Sequence, residues 1–392
     1  MFAQEIQPVQ VLIDSYRLPE KLTKETAKKA ITSLKKALIL CKDDALKSRI
    51  EYRIGMIYFK SDDFTQAIDS FNNLSQSDNC PPLTKLCSLN MAGRTYLVQA
   101  KSNKALEAFE DIIKFSHIFL TKDPNHNYPA SVLKLAISAG FTRAEIYLSN
   151  QDINSAIVEY KNIISILGSN EVYATNSYAP LALDKISQLY LIKGNIIKYN
   201  HTASDLINKY PHYYRVPIIR LETEAVKILK GQNADISFSR GSFDAPARLI
   251  ALIKCNSNNA LQENVAVLMA DLYSRYEHSY GGIMLGYHYA WLLDALGEKN
   301  RAVEVLNDIS KQAVSINPDM PNIKQIISTL TYYAKCQQTI LHGENNRYGE
   351  ALEIIHSLKT DPNDAHMLTL SDSIEKGLQV LKREVSKDAN DH

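Results

Sequence analysis

The sequence predicts an all-α fold, a solenoid built from antiparallel helix pairs of uneven length. Three observations predict it. A spacing recurs: a small residue, a Tyr three on, an Ala nine further, and an aromatic four beyond that. It reads Gly55, Tyr58, Ala67, Phe71, then Gly93, Tyr96, Ala105, Phe109, then Ala144, Tyr147, Ala156, Tyr160. Glycine and proline are scarce, 14 and 13 of 392 residues, which favours helices with short connections. Apolar residues fall at helical intervals between breaks that carry capping residues.

The elements follow in order. Residues 5–17 read as a short helix with Val9, Leu12, Ile13 and Tyr16 at helical spacing, ended by Pro19. Thr23 is a candidate N-cap for a helix striped by Ala27, Ala30, Ile31, Leu34, Ala37 and Leu38. Helices at 44–60 and 63–76 flank Ser61-Asp62-Asp63. The same beat continues at 83–99 and 102–119, 129–149 and 152–167, 175–193 and 195–209, then 215–230. Residues 231–246 contain Gly231-Gln232-Asn233-Ala234-Asp235 and Ser239-Arg240-Gly241-Ser242, which is loop chemistry. They divide the chain into repeats at 1–230 and at 247–392. Helices resume at 247–255, 260–278, 283–296, 299–315, 321–341, 347–358 and 366–386. The last places Leu370, Ile374, Leu378, Leu381 and Val385 on one face, as a helix closing the end of a stack does.

Ile54-Gly55, Tyr58, Ala67 and Phe71 make the chain resemble the tetratricopeptide repeat (TPR) family, and the two later copies match at the same offsets. Where two antiparallel helices cross closely, a small residue is needed, and aromatics fill the space between pairs. Ser187, Tyr190, Ala203 and Pro211 form a weaker copy, with Tyr199 in place of the second-helix Ala. Ala290, Leu293, Ala302 and Leu306 keep the spacing with aliphatics, and Tyr348 and Ala351 open another second helix. The intervals between the small residues are 38, 51 and 43, all above the family's period of about 34. The resemblance implies a right-handed superhelix, here an irregular one.

The resemblance also implies that the first helix of each pair lines a groove. The matching positions are Tyr52, Met56 and Phe59, then Asn90, Arg94 and Leu97, then Phe141 and Glu145, and in the second half Tyr287 and Trp291. The set is more aromatic than charged, which suits an apolar peptide or a partner helix better than a carboxylate clamp. Several of these aromatics are equally expected to pack between repeats. His278, Tyr280, His288 and Tyr289 cluster around Gly281-Gly282, which reads as a turn between packed helices; an α-helical enzyme or small-ligand-binding protein with a site near 231–291 is the alternative.

Function is expected to be that of a non-enzymatic scaffold holding a protein or peptide, with no cofactor and no metal. No phosphate loop, His-Glu-x-x-His or Gly-x-Ser-x-Gly is present. Net charge is +1, from 44 basic and 43 acidic residues, which argues against nucleic acid. No apolar run reaches membrane-spanning length. Five cysteines lack Cys-x-x-Cys spacing and read as buried thiols. Twenty-two tyrosines also suit a structural subunit that associates with copies of itself. The compartment reads as cytoplasmic, or as periplasmic or secreted if Phe2-Ala3-Gln4 is the remnant of a cleaved signal.

Overall fold

A computed structural model describes residues 8–19, 22–122, 129–168, 178–232, 245–255, 258–316, 321–359 and 365–388. The expected break at 231–246 falls mostly outside these residues, as do Phe2, Ala3 and Gln4. Among the described residues there are eighteen helices and no strand. The chain divides into two compact units, Met1–Leu189 and Tyr190–His392.

In the first unit α1 (Pro8–Tyr16) and α2 (Lys24–Leu40) precede three pairs. These are α3 (Asp44–Lys60) with α4 (Phe64–Gln76), α5 (Pro82–Val98) with α6 (Ser102–Lys122), and α7 (Pro129–Ser149) with α8 (Ile153–Gly168). Then comes α9 (Tyr178–Ile192), whose last turn contains the division. Thr23 caps α2 as expected, its side chain accepting from the Thr26 N–H at 3.2 Å. Asp43 and Asp63 cap α3 and α4 the same way.

The second unit continues with α10 (Ile196–Lys209), α11 (Val216–Gly231), α12 (Ala245–Cys255), α13 (Asn259–Arg275), α14 (Tyr280–Ala295), α15 (Lys299–Ser315), α16 (Pro321–Glu344), α17 (Tyr348–Lys359) and α18 (Ala365–Asp388). Here α14 packs on α15, α16 on α17, and α18 on both α16 and α17.

Glycine is needed at the crossings because an aromatic ring occupies the place of its side chain. A Cβ on Gly55 would stand 2.7 Å from the Phe71 ring, and one on Gly93 would stand 2.8 Å from that of Phe109. Ala67, Ala105, Ala156, Ala302 and Ala351 are all fully buried on the second helices. Tyr199, which stands where these have Ala, is also fully buried, with its hydroxyl 3.4 Å from Thr223 Oγ1.

The turns between paired helices share one geometry. Asp62, Ala100, Gln151, Gly194, Gly297 and Asn346 all have φ between 56° and 80°. Each follows the small residue, or its equivalent, by seven positions. The next N–H in each case reaches back five residues to a carbonyl at 2.8–2.9 Å, as from Asp63 to Tyr58 and from Arg347 to His342. This register assigns Thr339, fully buried, as the crossing residue of the α16–α17 pair. The sequence reading has no crossing residue there.

The uneven intervals also find their place. The longest reflects α6 and α7, each 21 residues. Gly281 and Gly282 correct the sequence reading, for they lie in the first turn of α14 rather than in a turn before it. Ser279 caps that helix, accepting from the Gly282 N–H at 3.0 Å. A Cβ on Gly282 would meet the Tyr276 carbonyl oxygen at 2.0 Å, and one on Gly281 would meet Pro217 at 2.4 Å.

Candidate functional site

The expected groove residues occupy a repeating register on the first helices: three before the crossing residue, one after it, and four after it. In the first unit α3, α5 and α7 lie side by side, which brings their registers together. The structure separates the three positions by role.

The position three before the crossing packs inward. Tyr52 meets Phe71 with ring centroids 5.7 Å apart, and Phe141 meets Tyr160 at 5.6 Å and Tyr178 at 6.2 Å. Burial pushes the Tyr52 hydroxyl up to about 12, which marks a ring held away from water. Asn90 is half-buried at the same register. The position four after is also half-buried. Phe59 lies edge-on to Phe64 at 5.8 Å, and Leu97 packs on the core that contains Phe109 and Ile112.

The position one after the crossing points outward on α5, α7, α14 and α16, whereas Met56 on α3 packs against the core that holds Phe71 and Met91. Arg94 and Glu145 are exposed, Met56 is half-buried, and in the second unit Trp291 is 42% exposed. The register adds Ile340 on α16, 37% exposed. Sequence reasoning missed Ile340 because Thr339 does not look like a crossing residue. The assigned set therefore divides into packing side chains, Met56 and Leu97 among them, and the outward-facing Arg94, Glu145 and Trp291.

Two hollows adjoin these residues, one in each unit. Tyr16, Arg49, Tyr52, Pro81, Leu83, Thr84 and Cys87 enclose about 310 Å³. A more apolar cleft of about 280 Å³ lies between α12 and α14. Ala247, Ile250 and Ala251 face Tyr287, His288, Trp291 and Ala295 across it, with Lys254 and Asp294 at the charged end. Tyr287 and Trp291 meet at 6.2 Å with planes 64° apart. Burial raises the Asp294 carboxyl above the usual carboxylate range, with Glu344 adding to the rise. The sequence reading offered an alternative site near 231–291, a range that includes α12, but named no α12 residue for it.

The His/Tyr cluster does not converge. His278 is exposed at the α13–α14 turn, and its N–H donates to Gln312 Oε1 at 3.0 Å. Tyr280 is buried against Tyr214, and Tyr289 accepts from Arg301 at 3.0 Å. Of the four, only His288 lines the cleft. Among the described residues no three His, Cys, Asp or Glu side chains could together hold a metal ion. All five cysteines are free thiols; Cys41, Cys80 and Cys336 are buried, whereas Cys87 is half-buried and Cys255, which ends α12, is exposed. No described helix is long and apolar enough to cross a membrane.

The crossing contacts and the shared turn define a tetratricopeptide-like helical-repeat protein. No family model and no curated protein matches the chain. Solved structures do align with it. Among them is the putative kinesin light chain of Podosopora anserina, with nearly identical TPR-like repeats, at 10% identity over 53% of this chain and 97% of that one, TM-score 0.37. A tetratricopeptide repeat protein from Parabacteroides merdae aligns at 16% identity over 83% and 98%, TM-score 0.34. The TPR domain of P58(IPK) aligns at 14% over 97% and 99%, TM-score 0.27. At such scores the superpositions add nothing to the crossing and turn geometry described above.

Proposed function

We propose that this protein is a non-enzymatic scaffold whose units each hold a segment of a protein partner on the outward-facing side chains of their first helices. These side chains carry the reading. Arg94, Glu145, Trp291 and Ile340, each one after a crossing, are exposed, while Tyr52, Phe59, Leu97 and Phe141 at the neighbouring positions of the first unit are committed to packing. Side chains that build no core are free to meet a partner, and a mixed apolar and charged set suits a peptide better than a single small molecule.

A photo-reactive amino acid placed at position 94 or 291 is expected to give a discrete crosslinked species in an extract from the source cells. The same group at position 158, exposed on the second helix α8, is expected to give none. Equal labelling from all three positions, or none from the first two, overturns the reading.

A further inference from the structure

We propose that the cleft between α12 and α14 receives a basic side chain, Lys or Arg, of a partner peptide. Its aliphatic stem lies along Ala247, Ile250 and Ala251, and its charged head reaches Asp294. This rests on the scaffold reading above.

The two walls are stripes of matched spacing. On α14 the stripe is Tyr287, Trp291 and Asp294; on α12 it is Ala247, Ala251 and Lys254. Each stripe ends in a charge toward the C-terminus of its helix, and the two charges lie close enough for Lys254 to pull down the Asp294 pKa. The cleft is thus apolar at one end and charged at the other, the form that fits a long side chain with a polar tip. Two aromatic rings on the α14 wall, with planes at 64°, also favour a cation over an anion, since π faces carry negative charge.

The unequal exposure of the two charges selects the sign of the guest. The Asp294 carboxylate is half-buried and makes no hydrogen bond or ion pair among the described residues, so it bears a desolvation cost that a cation relieves. Lys254 is exposed and solvated, and an exposed ion pair with an acidic guest gains little. The Lys299 charge is felt at Asp294 too, but its ion pair, at 2.8 Å, is with the neighbouring Glu344, which leaves the Asp294 carboxylate as the acceptor without an ion pair of its own.

Trp291 is the chain's single tryptophan, so its emission reports on this cleft alone. The probes are acetylated, amidated Gly-Ser heptapeptides with one central Arg, Lys, Leu or Glu, titrated into the full chain. The Arg and Lys peptides are expected to shift Trp291 emission saturably, and the Leu and Glu peptides to be silent at the same concentrations. Asp294→Asn is expected to weaken the Arg peptide on the order of tenfold. Lys254→Ala, which removes a competing cation, is expected to tighten it; both sites are solvent-accessible, and circular dichroism checks that each variant stays folded. Preference for the Leu or Glu peptide, or an unchanged response in Asp294→Asn, overturns the assignment. Equal binding of n-butylguanidinium alone overturns the peptide in favour of a small cation. If all probes are silent while crosslinking at position 94 still captures a partner, this inference fails and the scaffold reading stands.

Discussion

Arg143 joins three helices of the first unit. From α7 it donates to Glu159 on α8 at 2.9 Å, and to Glu110 and the Leu106 carbonyl on α6, both at 3.2 Å. Arg143 and Glu159 are both nearly inaccessible, with side chains 10% and 8% exposed. Burial of such a pair costs about as much as the attraction returns, but removing one partner strands the other. Glu159→Ala is therefore expected to lower stability by about 3 kcal/mol in urea unfolding. The double change Arg143→Met with Glu159→Leu is expected to cost less than that single one. His342 makes a second test at this scale. It is buried, and burial first, then the Arg347 charge, lowers its pKa below 6.5. Even with the Glu350 carboxylate 3.5 Å away and opposing the shift, the folded chain takes up the His342 proton less readily than the unfolded chain, so the unfolded state binds more protons as pH falls. Stability is expected to decline on acidification from pH 7.5 to 5.5, and His342→Phe to remove that part of the decline, measured as urea midpoints at each pH. Neither residue was legible as structural in the sequence. Arg143 reads as an ordinary helix charge, and His342 replaces the Tyr of its register, so only the packing shows that both are enclosed.

Each helix pair is held by one crossing and one turn. At the crossing, Phe71 fills the space above Gly55, so Gly55→Ala forces the ring to move and is expected to cost about 1–3 kcal/mol in urea unfolding. At the turn, Ala100 bears φ 56° with a Cβ that disfavours it. Ala100→Gly is expected to raise stability by up to about 1 kcal/mol, since glycine adopts that backbone without a steric penalty. Opposite signs for two exchanges between the same two residue types would show that position, not composition, sets the effect. The elements themselves were largely readable, because periodic apolar stripes and capping Thr23, Asp43 and Asp63 are local signals. Gly281-Gly282 misled because a glycine pair reads as a turn, whereas here it answers to the close approach of Pro217 and of the Tyr276 carbonyl. Pro217 lies on α11, and no local pattern encodes its approach; the Tyr276 carbonyl belongs to the turn just before α14.

At the scale of the whole chain, the helix stack makes coupling local, since each pair touches mainly its neighbours. Gly55→Ala is expected to lower amide protection in α3 and α4, and to leave α14–α17 in the second unit at their original protection, as read by native-state hydrogen exchange. A uniform loss across both units would instead mark one cooperative core. The sequence by itself determined the helices, their pairing and the crossing residues Gly55, Gly93 and Ala144. These follow from periodicity, from capping chemistry and from the small side chains that close contact demands. It also named Tyr52, Phe141, Arg94 and Trp291 as one class. Only the tertiary structure divided them, into rings closed over Phe71 and Tyr160 and side chains left facing water. It alone set α12 against Trp291 to make a cleft. The reason is physical: a sequence pattern fixes which face of a helix a residue occupies, but exposure on that face depends on what the next helix places against it.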